Sequence, residues 1–235
     1  MKYANATELI TYTGFSTSDF KINGEEMSDA EWYDFLDIIL STATKIVNRY
    51  CNVYSFLTST ITEYHNGRGA TGDNYTHRDF DKTFYLREGP VQSVTSFSAN
   101  NNSPTVKIEW TPLTEITESS SGDYIVDTNY ELAKIIILSG KIPIKGYNNV
   151  KIVYATGYDE DSDEYNDIKL STIRVATNIL LQKKKIQEST TVRHTGVRDF
   201  STMFDLFNES YVLTDDIKAV LGRYRRRKVD PYLYQ

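Results

Sequence analysis

The sequence predicts an α+β protein, mainly helical, with long helices packed against a small antiparallel β region and a long C-terminal extension. Three observations lead there. Trp32, Phe35, Leu36, Ile39, Ala43, Ile46, Val47 and Tyr50 recur at intervals of three and four, one apolar stripe on a long helix. Between 84 and 158 the pattern changes to short apolar or alternating runs separated by turn residues, which is a strand signature. Ile168, Ile173, Ala176, Ile179 and Leu180 then restore a helical repeat.

Residues 1–27, rich in Thr, Asn, Ser and Gly, read as an N-terminal arm. The first long helix opens at Ser28-Asp29-Ala30-Glu31, an N-cap with a reciprocal Glu three positions on, and ends near Arg49 to Asn52. Its stripe is expected to lie against the sheet, with Asp34, Asp37, Thr42 and Lys45 outward. Residues 64–79, with Gly67, Gly69 and Gly72, read as a loop too irregular to cradle phosphate. Strands are expected at Phe84-Tyr85-Leu86, along Val91, Val94 and Phe97, at Val106, Ile108 and Trp110, at Tyr124-Ile125-Val126, at Ile135 to Leu138 and at Val150 to Tyr154. Pro104, Pro112 and Pro143 fall between them, where no ladder hydrogen bond is lost.

Asp159 to Asp167 reads as an acidic linker, with Asp167 the N-cap of a helix from about Ile168 to Gln187. In its last turns Lys183-Lys184-Lys185 complements the helix dipole. Phe200, Met203, Phe204, Leu206 and Phe207 form an apolar cluster in a stretch with few regular signals. A third helix starts after Thr214, with Ile217, Val220, Leu221 and Tyr224 inward. The domain reading is therefore an arm at 1–27, a helix/strand/helix domain at 28–187 and a C-terminal extension at 188–235.

Charge is divided along the chain. From Lys183 to the end there are 11 Lys or Arg against 7 Asp or Glu, whereas the whole chain has a formal net charge of -6. Arg223, Arg225, Arg226, Arg227 and Lys228 concentrate the basic end, and a chain split this way can attach to two unlike neighbours by two unlike surfaces. The 18 Tyr against 10 Phe suit either half-exposed sheet faces or protein contacts. The closing Tyr232-Leu233-Tyr234 reads equally as a docking tail or a loose end.

Chemistry finds little support. His65, His77 and His194 lack the short ligand spacing of a zinc site. Asp159, Glu160, Asp161, Asp163 and Glu164 alternate as hard-ion ligands do, but without the central Gly and terminal Glu of a calcium loop, so a solvated loop is the better reading. No nucleophile elbow or dinucleotide fingerprint occurs. The lone Cys51 sits in a helical apolar pattern, which makes it a small buried hydrophobe and excludes an internal disulfide. No cofactor, metal or catalytic residue is expected, and the chain is read as not an enzyme. The polar N-terminus argues against a signal peptide, no apolar run has the length of a membrane span, and synthesis in a cytoplasm is the default. The basic end can touch phosphates non-specifically, although an acidic partner, including a neighbouring copy of this chain, is favoured over DNA.

Two segments carry a family resemblance. Asn149-Val150-Lys151-Ile152-Val153-Tyr154-Ala155-Thr156-Gly157-Tyr158, followed by a loop and Asp167-Ile168-Lys169, is similar to the strand-loop-helix step of head-to-tail connector (adaptor, head-completion) proteins of tailed bacteriophages. Phe84-Tyr85-Leu86-Arg87-Glu88-Gly89-Pro90-Val91-Gln92-Ser93-Val94 resembles that family's early strands and their Pro-Val-x-x-Val step. The family's usual proline before the helix is absent, Tyr165 or Asn166 standing near its place, and the acidic insertion lengthens the loop. The resemblance covers about 28–187.

It implies a structural virion protein at the portal vertex, assembled in the host cytoplasm. There it forms a homo-oligomeric ring, commonly dodecameric, between the portal protein and the tail or tail-completion proteins, and continues the DNA channel. By that analogy Ile217, Leu221, Arg223, Tyr224, Arg225, Arg226, Arg227, Lys228, Tyr232, Leu233 and Tyr234 are portal-contact candidates. The acidic loop is a channel or subunit-contact candidate. The alternative is a nucleic-acid-contacting or tail-side accessory module.

Overall fold

A computed structural model describes residues 2–22, 25–67, 83–100, 110–117, 121–128, 133–138, 146–190 and 212–226. The chain forms two units. One combines Met1–Cys51 with Glu160–Arg225; the other holds Asn52–Asp159 and Arg226–Gln235. The expected 28–187 domain thus contributes residues to both units, and its first helix buries its stripe among helices.

The first unit is helical. α1 (Ala6–Thr13) is closed at its start by a capping box: Asn5 Oδ1 accepts from the Glu8 N–H at 2.9 Å and Glu8 Oε2 from the Asn5 N–H at 2.8 Å. It ends at Gly14, whose φ of 68° is the left-handed turn that glycine adopts without strain. A short hairpin follows, β1 (Lys21–Ile22) with β2 (Glu25–Glu26). Leu9 and Phe20 are fully buried, and Phe20 stacks on Trp32 at 5.4 Å. The expected arm is therefore a folded part of this unit: its Asn, Ser and Gly residues are caps and turns.

α2 (Asp29–Cys51) begins as expected, with Ser28 Oγ accepting from the Glu31 N–H at 3.4 Å and Glu31 accepting from the Ser28 N–H at 2.9 Å. Its buried face is Trp32, Phe35, Leu36, Ile39, Leu40, Ala43, Thr44, Val47 and Cys51. Those residues meet α1, α3 (Asp163–Thr190) and α4 (Asp215–Leu221).

α3 starts earlier than expected. Ser162 Oγ accepts from the Tyr165 N–H at 3.1 Å, and Asp163 and Glu164 occupy the first turn, where they complement the helix dipole. Asp167 is thus inside the helix and not its cap. A 3₁₀ turn, Gly222–Tyr224, follows α4.

Among the described residues the regular elements of the second unit are strands, so the fold is mixed α+β and the mainly helical expectation is not confirmed. β3 (Ser59–Gly67), β9 (Gly146–Thr156), β5 (Val91–Ala99) and β6 (Thr111–Leu113) form an antiparallel sheet in that order. β4 (Thr83–Tyr85), β8 (Lys134–Ile137) and β7 (Tyr124–Asp127) form a second one. Phe84, Leu86, Phe97, Tyr124, Ile135, Ile137, Val150, Ile152 and Tyr154 share one core between them.

β3 includes residues 64–67 of the expected loop; the rest of that loop lies outside the described residues, as do residues 106–109 of the expected third strand. Trp110 precedes β6 instead of ending a strand. Pro112 lies within β6 opposite Ser98, and is tolerated because β6 is the sheet's edge. Gly157, with φ 102°, comes so close to Leu57 that an added Cβ would sit 2.4 Å from its carbonyl carbon. That close approach is the physical reason for the glycine in the Thr156-Gly157-Tyr158 step.

Candidate interface residues

The basic C-terminal segment is divided by burial. Ile217, Leu221 and Tyr224 are 1%, 0% and 7% exposed. Cys51 Sγ lies 3.6 Å from the Leu221 carbonyl oxygen, and the Tyr224 hydroxyl donates to Asp167 at 2.8 Å. These three residues fasten the segment to the helical unit and offer no free surface. Arg223 and Arg225 are exposed, Arg225 lying over the Tyr50 ring at 5.5 Å. Arg227, Lys228, Tyr232, Leu233 and Tyr234 lie outside the described residues, as do His77, His194 and the 200–207 apolar cluster.

Arg226 is buried in the β unit. Its guanidinium donates to the carbonyls of Leu86 at 3.0 Å and Arg87 at 2.5 Å. A Cβ added at Gly89 would stand 3.0 Å from the guanidinium carbon, so glycine there makes room for the arginine. Arg226 is therefore a clasp on the β4–β5 connection and not an available basic residue.

The lysine triplet is likewise dispersed. Lys183 is 5% exposed with its ammonium 3.9 Å from the Phe35 ring centre, and desolvation lowers its pKa to about 8. Lys184 pairs with Asp19 at 2.8 Å, while Lys185 is exposed. Asp159, Glu160, Asp161, Asp163 and Glu164 are all exposed. Among the described residues no group of His, Cys, Asp or Glu is arranged to hold a metal ion, and no helix is long and apolar enough to cross a membrane.

One polar constellation was missed by the sequence reading. Glu63, on the inner face of β3, accepts from the Tyr154 hydroxyl at 2.5 Å and the Arg87 N–H at 3.0 Å through Oε1, and lies 3.0 Å from His65 Nε2 through Oε2. The Tyr154 oxygen accepts from the Glu88 N–H at 3.1 Å. Burial pushes the Glu63 carboxyl upward, but the bonds from His65, Tyr154 and Arg87 outweigh it and hold the group below its ordinary value. Burial, with the Glu63 charge beside it, raises the Tyr154 phenol. Both carboxylate oxygens are engaged, so the cluster works as a structural tie. Only knowledge that β3 pairs with β9 brings Glu63 and Tyr154 together, and a single sequence carries no signal of that pairing. Cys51 is buried, which pushes its thiol up to about 12 and leaves it unreactive near neutrality.

No protein-family model matches the chain, and no curated protein sequence is similar to it. Solved structures are. A chain from the neck of an empty GTA particle, computed with C6 symmetry, matches with a TM-score of 0.51 and 13% identity, over 97% of this chain and 92% of that one. A chain from the virion of a native gene transfer agent (GTA) particle matches with a TM-score of 0.49, 12% identity and the same coverages, 97% and 92%. A third, from the neck of a native GTA particle computed with C12 symmetry, has a TM-score of 0.45 and 15% identity over 86% and 90%. The fold is thus similar to that of a particle-neck chain, in keeping with the connector-type resemblance.

Proposed function

We propose that the chain is a structural virion protein, a subunit of an oligomeric ring in the particle neck that joins portal to tail, extends the DNA channel and serves no enzymatic purpose. The observation that carries this reading is the likeness to a GTA neck chain over nearly the full length of both chains. The C6 symmetry of that neck suits six copies or a multiple, including the twelve that the connector resemblance implies. The buried Glu63 carboxylate is hydrogen-bonded through both oxygens and the Cys51 thiol is held protonated, so neither group is available as a base or nucleophile near neutrality.

Within this reading the portal-contact role narrows to the residues that follow Arg226, since Ile217, Leu221, Tyr224 and Arg226 are spent inside the chain and Arg223 and Arg225 lie on a basic pole suited to a neighbouring copy. The exposed acidic turn from Asp159 to Glu164 suits a channel wall, where negative charge keeps DNA sliding instead of adhering. Neutralising its five carboxylates to Asn and Gln is expected to slow DNA passage; unchanged ejection kinetics would remove the channel role.

Deletion of the coding sequence tests the whole reading. The expected products are DNA-filled heads that lack tails and leak, rescued by supplying the chain in trans; normal tailed particles would contradict it.

A further inference from the structure

The outward face of α2 is polarised along its length. Glu31, Asp34, Ile38, Lys45 and Arg49 are exposed at spacings of three, four, seven and four, so they lie on one stripe. The stripe runs from acid through Ile38, 46% exposed, to base. Exposed Glu25, Glu26 and Asp29 extend the acidic end; of the bases nearby, Lys2 pairs with Asp37 at 2.5 Å, Lys184 pairs with Asp19, and Lys21 stands opposite Glu26 in the β1–β2 pair, leaving the acids in excess. At the other end the Tyr50 hydroxyl donates to the Lys218 carbonyl at 3.4 Å and Arg225 lies over the Tyr50 ring, which adds Arg223 and Arg225 to Lys45 and Arg49. Of the acids there, Asp215 and Asp216 pair with Lys218 and Arg174, and Asp167 accepts from the Tyr224 hydroxyl.

Asp34 and Lys45 are separated by about 16 Å of helix, roughly twice the distance over which charge is screened at physiological salt. The two poles therefore do not neutralise each other within one chain.

We propose that the acidic half of the α2 face receives the Arg223–Arg225 pole of a second copy of this chain, a head-to-tail contact between subunits. Two different patches that complement each other make a heterologous interface, which propagates and closes into a ring when the rotation allows. The inference rests on the neck-ring reading above and names the surface by which the ring is built. The exposed Ile38 supplies apolar contact between the poles.

Full-length variants test it. One carries Glu25→Lys, Glu26→Lys and Asp34→Lys; the other carries Lys45→Glu, Arg223→Glu and Arg225→Glu. All six positions are exposed, and circular dichroism checks that both variants fold. Sedimentation at low ionic strength should show wild-type self-association that weakens with salt. Association should fall about tenfold or more in either variant alone and return in their equimolar mixture, because each then presents two poles that fit the other.

A wild-type chain that stays monomeric under these conditions, a variant that associates like wild type, or a mixture no larger than its parts overturns the proposal. So does DNA binding that only the second variant loses, with no recovery on mixing, which assigns the basic pole to nucleic acid. A neck ring whose subunits meet away from α2 would also sink it while leaving the proposed function intact; absence of the chain from the neck would instead remove that function.

Discussion

The two units hold themselves together by different means. The helical unit is sealed by hydrocarbon on a helical repeat, with Leu36, Ile39, Leu40, Ala43 and Val47 of α2 facing Ile168, Val175, Ala176, Ile179 and Leu180 of α3, each at most 1% exposed. The β unit also has an apolar core, but it adds a buried carboxylate, phenol and guanidinium that tie down the Leu86–Gly89 connection. Apolar packing tolerates exchange of one hydrophobe for another of similar volume. A buried polar network does not, because losing one member leaves its partners desolvated and unbonded. The β unit should therefore lose stability in acid, and on single polar substitutions at its core, more than the helical unit does.

The largest expected effect is in the β core. Phe97→Ala removes a fully buried ring in contact with Phe84 and Tyr124, and should cost about 3–5 kcal/mol. Chemical denaturation followed by near-ultraviolet circular dichroism reads this, and a loss under 1 kcal/mol would deny the shared core. Glu63→Ala should cost about 2–4 kcal/mol, since Tyr154 and the Arg87 N–H lose their acceptor.

The same carboxylate gives the unit an acid dependence. Its folded-state pKa is depressed, so its stabilisation is present above the ordinary value near 4.5 and is lost as pH falls through the lower folded value. Stability measured across that window should fall more steeply in the wild type than in Glu63→Gln; parallel curves would break the contrast between the units.

Arg226→Ala should cost about 1–3 kcal/mol by leaving two carbonyls without their donor, whereas Arg223→Ala, at an exposed position, should change stability little. Equal effects would mean that the clasp contributes nothing.

The smallest effect is a gain in the helical unit. Lys183→Met replaces a buried cation with an apolar chain and should stabilise by about 1 kcal/mol. With its pKa lowered to about 8, Lys183 imposes its cost below that value, and wild-type stability should recover as pH rises from there towards 10.5. The variant should lack that recovery, and a destabilised variant would show that the contact with Phe35 outweighs desolvation.

How much of this was legible in the sequence follows the same division. α2 was readable because a stripe of large apolar residues and a local capping box report on the same short segment. Most strands were readable from alternation around Gly, Asn and Pro. β3 was not: Ser59-Thr60-Ile61-Thr62-Glu63-Tyr64-His65 places a carboxylate inward, and a polar residue at a core position erases the period-two signal. The N-terminal helix was obscured because its caps are also loop residues. Burial of Arg226 and Lys183 was hidden inside charge runs, where sequence reports charge and only tertiary structure reports which cation is enclosed. The interface candidates were consequently half legible: the exposed Arg223, Arg225 and acidic turn remain available, and four of their neighbours do not.

Cryo-electron microscopy of intact particles, with focused classification at the portal vertex, tests the central claim most directly. The account predicts density for this chain as a closed ring between portal and tail. A vertex resolved to side chains in which no ring matches this sequence would contradict it.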